Sequence, residues 1–304
     1  MARNRKFQTN FSGGVLSPSV YGRTDIPQYA NGMSVGKNIV VEAPGGIKRR
    51  PGSLFIREYP DVEMVRLFPF RFNTEQEYLI VLYPDAGDPS TSYIDIYRDN
   101  TLLTQISAPY GADDIDSIDY AQSADTMIIT HGDYETRVLR RLGTDTDWEL
   151  VLLPFVTPPP EWGEEEGWPK YCTFHQGRLW FACSNTQPQS VWGSVAQDFF
   201  NFDVGTGELA DSIHDILDTD QINPIVGIYS ERHLQVFTTG SEFINTAQVI
   251  TPTTSAWKRQ SGYGSYGTVQ PVSINGGVLF LDRTGRTIRN FLFTDAEDGY
   301  TCLL

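Results

Sequence analysis

Past residue 60 the chain repeats one pattern: a short strand-forming run, a polar turn, a strongly apolar run, another turn and a third strand. The apolar centres are Tyr78–Tyr83, Thr126–His131, Arg178–Cys183, His233–Thr238 and Gly277–Asp282. With Leu79, Met127, Leu179, Leu234 and Val278 taken as equivalent, the spacings are 48, 52, 55 and 44 residues. These runs are short, rich in β-branched and aromatic residues, and bounded by turn formers, which predicts strands. A strand-only unit with a period near 50 is the pattern of a β-propeller blade. Two β-sandwiches would supply as many strands, but with turn signals every ~8–12 residues and no such period. The centres are nearly continuously apolar, as expected of strands covered on both faces.

The fifth unit is the clearest, with Val269–Ile274, an Asn275-Gly276 turn, Val278–Leu281, a turn at Thr284-Gly285, and Thr287–Phe293. Asn-Gly between apolar strands is a strong hairpin cue, because both residues tolerate positive φ. Helix is scarce. Leu209–Leu217 offers at most a turn or two, and its aspartates work against that. The sequence therefore predicts an all-β fold: a β-propeller-like body of repeated antiparallel blades over 58–304, about five of them recognisable. An extended basic N-terminal arm occupies 1–57.

Charge sharpens that division. The 304 residues hold 23 Lys+Arg and 38 Asp+Glu, a net charge of −15. Residues 1–57 carry nine basic groups and two acids, 9 − 2 = +7; the rest carries 14 and 36, or −22. Such asymmetry separates an interaction arm from a body. The acidic total excludes a general nucleic-acid-binding surface, since phosphate binding is driven by Lys and Arg displacing counterions. At 40% hydrophobic and 20% charged the chain is not a disordered polymer. No apolar run approaches 18 residues, and the basic start runs into Phe7-Gln8-Thr9-Asn10, so neither a membrane span nor a secretory signal is expected.

Candidate chemistry thins out on inspection. Gly262-Tyr263-Gly264-Ser265-Tyr266-Gly267 fits GxGxxG, but a strand start follows it where the dinucleotide motif needs a helix, so an inter-blade loop is expected. No two of His131, His175, His214 and His233 are four apart; three lie at strand ends and read as turn-edge packing. Asp113, Asp114, Asp116 and Asp119 lack the Gly and distal Glu of a calcium loop and read as a solvated edge. Trp162 to Trp168, with three glutamates between glycines, reads as an acidic surface linker. Paired carboxylates for glycoside hydrolysis remain open among so many acids. Cys172 is placed opposite Phe181 across a hairpin at Gln176-Gly177, leaving Cys183 displaced along it. A bridge there is too long, so free thiols and assembly in a reducing cytoplasm are expected. The sequence predicts no catalytic residues, no cofactor and no metal site.

The sharpest local feature of the arm is Pro44-Gly45-Gly46, Lys48-Arg49-Arg50, Pro51-Gly52, two turns bracketing a cationic strand. Arg49 and Arg50 suit bidentate bonds to carboxylates on another protein; packing within the chain, or a solvated cationic edge strand, are the alternatives. Arg23, Asp25 and Lys48 complete the candidate contact set.

Several stretches resemble one family. They are Phe11-Ser12-Gly13-Gly14-Val15-Leu16-Ser17-Pro18, then Tyr21-Gly22-Arg23-Thr24-Asp25, Tyr29-Ala30-Asn31-Gly32, Asn38, and Gly45 through Gly52. Further on come Gly177-Arg178-Leu179-Trp180-Phe181, Val191-Trp192-Gly193-Ser194, Asp198-Phe199-Phe200-Asn201-Phe202, Lys258 through Gly264, Asp282-Arg283-Thr284-Gly285-Arg286 and Asp298-Gly299-Tyr300. The set is similar to the tail nozzle, or tubular tail protein (tail hub), of short-tailed bacteriophages. The resemblance implies a structural virion protein and not an enzyme: a homo-oligomer of six copies in the tail. It would attach beneath the portal-adaptor, contact tail fibres or spikes, enclose the DNA exit channel without binding DNA specifically, take no small-molecule substrate, and assemble in the host cytoplasm. An acidic channel wall would then keep DNA from sticking; ordinary solubility charge is the competing account. The alternative is a β-propeller adhesin, or a glycan-binding or glycosidase tail component. Relatives continue well past Asp298-Gly299-Tyr300, whereas this sequence stops at Leu304, which leaves open a fragment, a short version or a different ring closure.

Overall fold

The computed structural model describes residues 7–219, 221–274, 276–294 and 299–303. It divides into two compact units, Met1–Glu58 and Tyr59–Leu304.

The first unit holds a 3-10 turn at Pro18–Val20, one helical turn α1 (Pro27–Ala30), and a hairpin of β1 (Ile39–Val41) with β2 (Ile47–Arg49). The hairpin register places Ile39 opposite Arg49 and Val41 opposite Ile47. With so little apolar material, backbone hydrogen bonds between distant segments hold this unit together. Phe11 N donates to the Gly45 carbonyl at 2.7 Å, Gly13 N to Asn31 at 3.0 Å, and Leu16 N to Met33 at 2.9 Å.

The second unit consists of five four-stranded antiparallel sheets, each a meander in chain order. Blade one is β3 (Arg66–Arg71), β4 (Glu77–Pro84), β5 (Ser92–Arg98) and β6 (Thr101–Ala108). Blade two is β7 (Asp119–Ser123), β8 (Thr126–His131), β9 (Tyr134–Arg141) and β10 (Trp148–Leu152). Blade three is β11 (Tyr171–His175), β12 (Arg178–Ala182), β13 (Ser190–Gly193) and β14 (Ile213–Ile216). Blade four is β15 (Ile225–Ser230), β16 (Leu234–Thr238), β17 (Glu242–Asn245) and β18 (Trp257–Ser261). Blade five is β19 (Val272–Ile274), β20 (Gly277–Leu281), β21 (Ile288–Thr294) and β22 (Gly299–Leu303). The first strands pack beside one another, β11 between β7 and β15, while outer strands meet at β6 with β10 and β18 with β22. This is a β-propeller-like body.

The period-two alternation of strand side chains explains why each apolar run is so continuous. In β8, Ile129 enters the core shared with blade one, whereas Ile128 enters the core shared with blade three. In β12, Phe181 faces blade two and Trp180 faces blade four. In β16, Val236 faces blade three and Phe237 faces blade five. Polar ties join neighbouring blades: the Gln122 side chain bonds both N–H and C=O of Arg71 (3.0 and 2.8 Å), and Thr130 Oγ1 donates to the Lys170 carbonyl at 2.8 Å. His175 Nδ1 lies 2.8 Å from Ser230 Oγ, and Ser273 N donates to Tyr229 OH at 3.1 Å.

Each blade has four strands, one more than the repeating pattern predicts. The outermost strands, such as Trp257-Lys258-Arg259-Gln260-Ser261, carry little apolar signal because they lie half-exposed at the periphery. Leu209–Leu217 forms no helix; Ile213–Ile216 is the strand β14, held by pairing with β13 and by burial of Ile213. The acidic linker is not wholly surface, because Trp162 is buried in the core between blades two and three. Cys172 does face Phe181, and all three cysteines are free. The predicted fifth-unit strand starts later, at Val272, since Pro271 has no N–H to donate. Asn275 of the predicted turn lies outside the described residues, while Gly276 has φ of 81° and Ile274 pairs with Gly277.

Candidate functional site

The first strands of blades two to five surround an axial cavity of about 520 Å³, lined by Asp119–Gln122, Tyr171–Phe174, Gly227–Glu231 and Gln270–Val272. Asp119 opens β7 and is buried, not part of a solvated edge; Asp113 and Asp116 are the exposed members of that stretch. The reason is position: the chain turns at Ile115–Ser117, so Asp119 becomes the first inward residue of an axial strand. Its Oδ2 accepts the Cys172 N–H of blade three at 3.0 Å, and its Oδ1 accepts the Gln270 amide leading into blade five. Burial pushes its carboxyl up to about 7, against the pull of backbone N–H groups of Cys172 and Tyr120 and the Arg66 guanidinium. Arg66 donates to the carbonyls of Ile115, Asp116 and Ile118 at 3.1, 2.9 and 2.5 Å.

A carboxyl with a near-neutral pKa in a cavity can serve acid–base chemistry. Here, however, both oxygens are engaged in ties between blades. Glu231, the other acid lining the cavity, accepts the Ser273 hydroxyl. The arrangement clamps strands together and presents no opposed, free pair of carboxylates.

A second cavity of about 230 Å³ is lined by Arg66, Asp116–Ile118, His131–Asp133, Lys170–Tyr171, Gly267–Thr268 and Gln270. Beside it, Asp114, His131 and Asp133 bring one ligand-capable atom each to within 4.8 Å of one another. Burial holds the His131 imidazole below its ordinary value, despite Asp114 and Asp133 nearby. His175 is lowered to about 4 by burial and by His233, and His214 stacks on Trp192 with centroids 5.3 Å apart. The glycine-rich stretch at 262–267 connects β18 to β19 with no helix after it. Gly264 has φ of 73°, and a Cβ there would lie 2.2 Å from the Thr239 carbonyl oxygen, so the close approach of this connector to the β16–β17 turn demands glycine.

The five residues predicted to contact a partner all lie in the first unit. Arg23 bonds Asp25 in bidentate fashion, Nε to Oδ1 at 2.7 Å and Nη2 to Oδ2 at 2.6 Å, and holds its carboxyl below the usual range. Lys48 pairs with Glu42 at 2.9 Å. Arg50 Nε reaches Asn38 Oδ1 at 3.4 Å, while Arg49 makes no ion pair among the described residues. Asn38, Arg49, Arg50, Pro51 and Gly52 line a hollow of about 340 Å³. The Arg23–Asp25 pair and the 48–50 stretch form no hydrogen bond or ion pair with each other among the described residues.

Asp119, Gln270 and the Asp114–His131–Asp133 cluster escape a reading based on motif spacing. Each is assembled from segments of different loops or blades. The one signal available is the acid at the first position of an axial strand.

No family model matches the chain, and no curated protein matches it. Among solved structures it is similar to Kluyveromyces lactis Hsv2, with 11% identity and a TM-score of 0.43 over 83% of this chain and 67% of that one. It is similar to the β-propeller domain of Myceliophteria thermophila Cps50 (Swd1), with 11% identity and a TM-score of 0.42 over 79% and 73%. The RRP9 WD40 repeats match with 9% identity and a TM-score of 0.40 over 82% of each chain.

Proposed function

We propose that this chain is a structural virion protein, the tail nozzle subunit of a short-tailed bacteriophage. It forms a homo-hexamer below the portal-adaptor and encloses the channel through which DNA leaves. One observation carries the reading. The stretches that resemble the family at the N-terminus interlock, Phe11 with Gly45 and Gly13 with Asn31, and Leu16 bonds Met33 just beyond them. At Gly13 a Cβ would lie 2.7 Å from the Gln28 carbonyl oxygen, so the motif glycine is a packing requirement of that unit. The motif is thus a folded, cation-bearing module, the kind of element that docks one protein ring on another.

The role asks for no catalysis, and the two acids of the axial cavity, Asp119 and Glu231, support that reading by serving inter-blade bonds. Arg49 and Arg50 are the docking pair, meeting carboxylates of the adaptor or a neighbouring subunit. Arg23 and Asp25, already satisfied by each other, shape the module. DNA passes the acidic body without specific contact. Fibres or spikes join the same tail, which assembles in the host cytoplasm.

Negative-stain electron microscopy of the purified protein mixed with its adaptor tests this, with six-fold rings as the expected result. A protein that stays monomeric with the adaptor present overturns it. Replacing Arg49 and Arg50 together by Ser is expected to lower co-sedimentation with the adaptor at least tenfold, with unchanged circular dichroism. Undiminished co-sedimentation removes the docking role.

A further inference from the structure

Charge is unevenly spread within the body. Residues 251–294 hold five basic side chains, Lys258, Arg259, Arg283, Arg286 and Arg289, and one acid, Asp282, a balance of +4. The rest of 58–304 holds nine basic residues and 35 acids, a balance of −26. An island of cations in an acidic body raises the local concentration of anions, most of all where a concave surface focuses the field. Arg259 and Arg283 meet that second condition, because both line one hollow.

The hollow, of about 480 Å³, forms where the connector from β14 to β15, the β16–β17 turn, β18 and the β20–β21 turn come together. It shares no residue with the axial cavity. Gln221, Asn223 and Thr239 bring neutral polar groups to it, and Phe243 and Trp257 an apolar wall.

Its frame is pinned by hydrogen bonds between segments that are distant in sequence. Thr239 N donates to the Pro224 carbonyl at 3.0 Å, Ser265 N to Thr238 at 2.8 Å, and Arg283 N to Gly264 at 2.9 Å. The buried Glu242 carboxylate gathers the loop after β18. It accepts the Ser261 and Ser265 hydroxyls and the backbone N–H groups of Tyr263 and Gly264. A frame tied in this way holds its shape before a ligand arrives, which lowers the ordering cost of binding.

Against this frame the two guanidiniums are uncommitted. Neither forms an ion pair among the described residues, and Arg259 makes one long bond, Nε to the Ser261 carbonyl at 3.4 Å. A Cβ on Gly262 would lie 2.4 Å from Arg259 Nη2, so the first glycine of the 262–267 stretch provides the space in which the guanidinium rests. The N–H groups of Tyr263 and Gly264 are spent on Glu242, so this glycine-rich loop does not cradle an anion through its backbone as a phosphate loop does. Arginine side chains are the donors left to do so.

We infer that Arg259 and Arg283 together bind a phosphate group, free or carried as a monoester on a small polar molecule. Two monocations balance the charge of a phosphate near −2, and guanidinium forks match its oxygens in bidentate fashion. The hollow is larger than a phosphate needs and leaves room for an attached group beside Trp257, whose indole is fixed by its Nε1 bond to Asp215 Oδ2 at 2.9 Å. Asp218, also lining the hollow, repels the anion and holds the affinity down. The site stands on the body alone and does not depend on the tail reading.

Isothermal titration of the full chain at fixed ionic strength, with sodium phosphate and separately with glucose 6-phosphate, tests the site. One anion per chain is expected in each case. Tighter binding of the ester places the attached group in the hollow, and equal affinity assigns the site to the oxyanion alone. Arg259→Ser and Arg283→Ser are each expected to weaken binding about tenfold or more with unchanged circular dichroism. Arg286→Ser, on the same turn but outside the hollow, is expected to leave binding unchanged, which separates a site from a diffuse field. Asp218→Asn is expected to tighten binding, and Gly262→Ala to weaken it by displacing the Arg259 guanidinium. Absence of saturable binding of both probes overturns the inference. So does a loss in Arg286→Ser as large as that in Arg283→Ser.

Discussion

Blades two to four and the two end blades use the same kind of sequence in different surroundings. In β12 every residue from Arg178 to Ala182 is buried, and the same holds for β16 from Leu234 to Thr238. In β4 the run Tyr78–Tyr83 is as apolar, yet Leu79 is 37% exposed. In β20, Val278 and Phe280 are buried against blade four, while Leu279 and Leu281, on the other face, are only half-buried. An apolar run marks a strand able to accept two neighbours; whether it has two is decided by its place in the array. The two ends also differ. The far face of blade one is partly covered by Tyr59 and Val62, and carries buried Asp95 with donors from Tyr59, Tyr83 and Gln105 at 3.0, 3.3 and 2.9 Å. The far face of blade five leaves Val272, Ile274 and Ile288 open.

The largest test of this contrast is Phe181→Ala. Phe181 lies between blades two and three, with Trp162 at 5.2 Å and Phe202 at 5.6 Å between ring centroids. Truncation leaves a cavity that rings on both sides cannot fill, and the expected loss is about 3–5 kcal/mol. Equilibrium urea unfolding measures it. A loss below about 1.5 kcal/mol would mean that the interface relaxes freely, and the two-neighbour account would fail.

How far the sequence reveals this depends on how local each feature is. The second strand of every blade is legible, because burial on two faces demands a continuous apolar run. The outermost strands are not: Ile213-His214-Asp215-Ile216 and Trp257–Ser261 bury one face at most, and their residues resemble loop. Trp162 looked like part of an acidic surface linker because its neighbours are glutamates, yet its own indole fills the core. Asp119 looked solvated for the same reason. In both cases the residue's own inward placement decides, on strand β7 for Asp119 and in the loop between β10 and β11 for Trp162, whatever its neighbours in sequence are. The cluster at His131 is invisible to spacing rules written for helices, since its members come from a connector and a hairpin turn.

A smaller, pH-dependent effect probes the tie between an interior blade and an end blade. Asp119, in blade two, accepts from Gln270 at the start of blade five. With its pKa raised to about 7 in the folded chain, against an ordinary value near 3.9 when unfolded, the folded state binds the extra proton between those values. Stability from this group is therefore fully present below about pH 4 and is lost as pH rises through about 7. The expected change is roughly 2–4 kcal/mol, at ~1.4 kcal/mol per unit of pKa. Glu242 shifts in the same direction, and His131 and His175 in the opposite one. The readout is therefore the difference between wild type and Asp119→Asn across pH 4 to 8. A difference that stays flat removes the buried-carboxyl account.

The smallest effect is expected at Ile288→Ala, and its smallness is what makes it informative. Ile288 pairs with Leu281 on the far face of blade five and is 65% exposed. A side chain that is mostly hydrated in the folded state loses little transfer free energy on truncation and leaves no cavity, so the change is expected within about 0.5 kcal/mol. Ile129, a β-branched residue of the same size at 2% exposure in blade two, is expected to lose about 2–5 kcal/mol when truncated. The pair isolates one variable, the presence of a neighbouring sheet, with residue type held fixed. If Ile288→Ala measured by urea unfolding loses more than about 2 kcal/mol, that face is covered in solution, and blade five ceases to be an end.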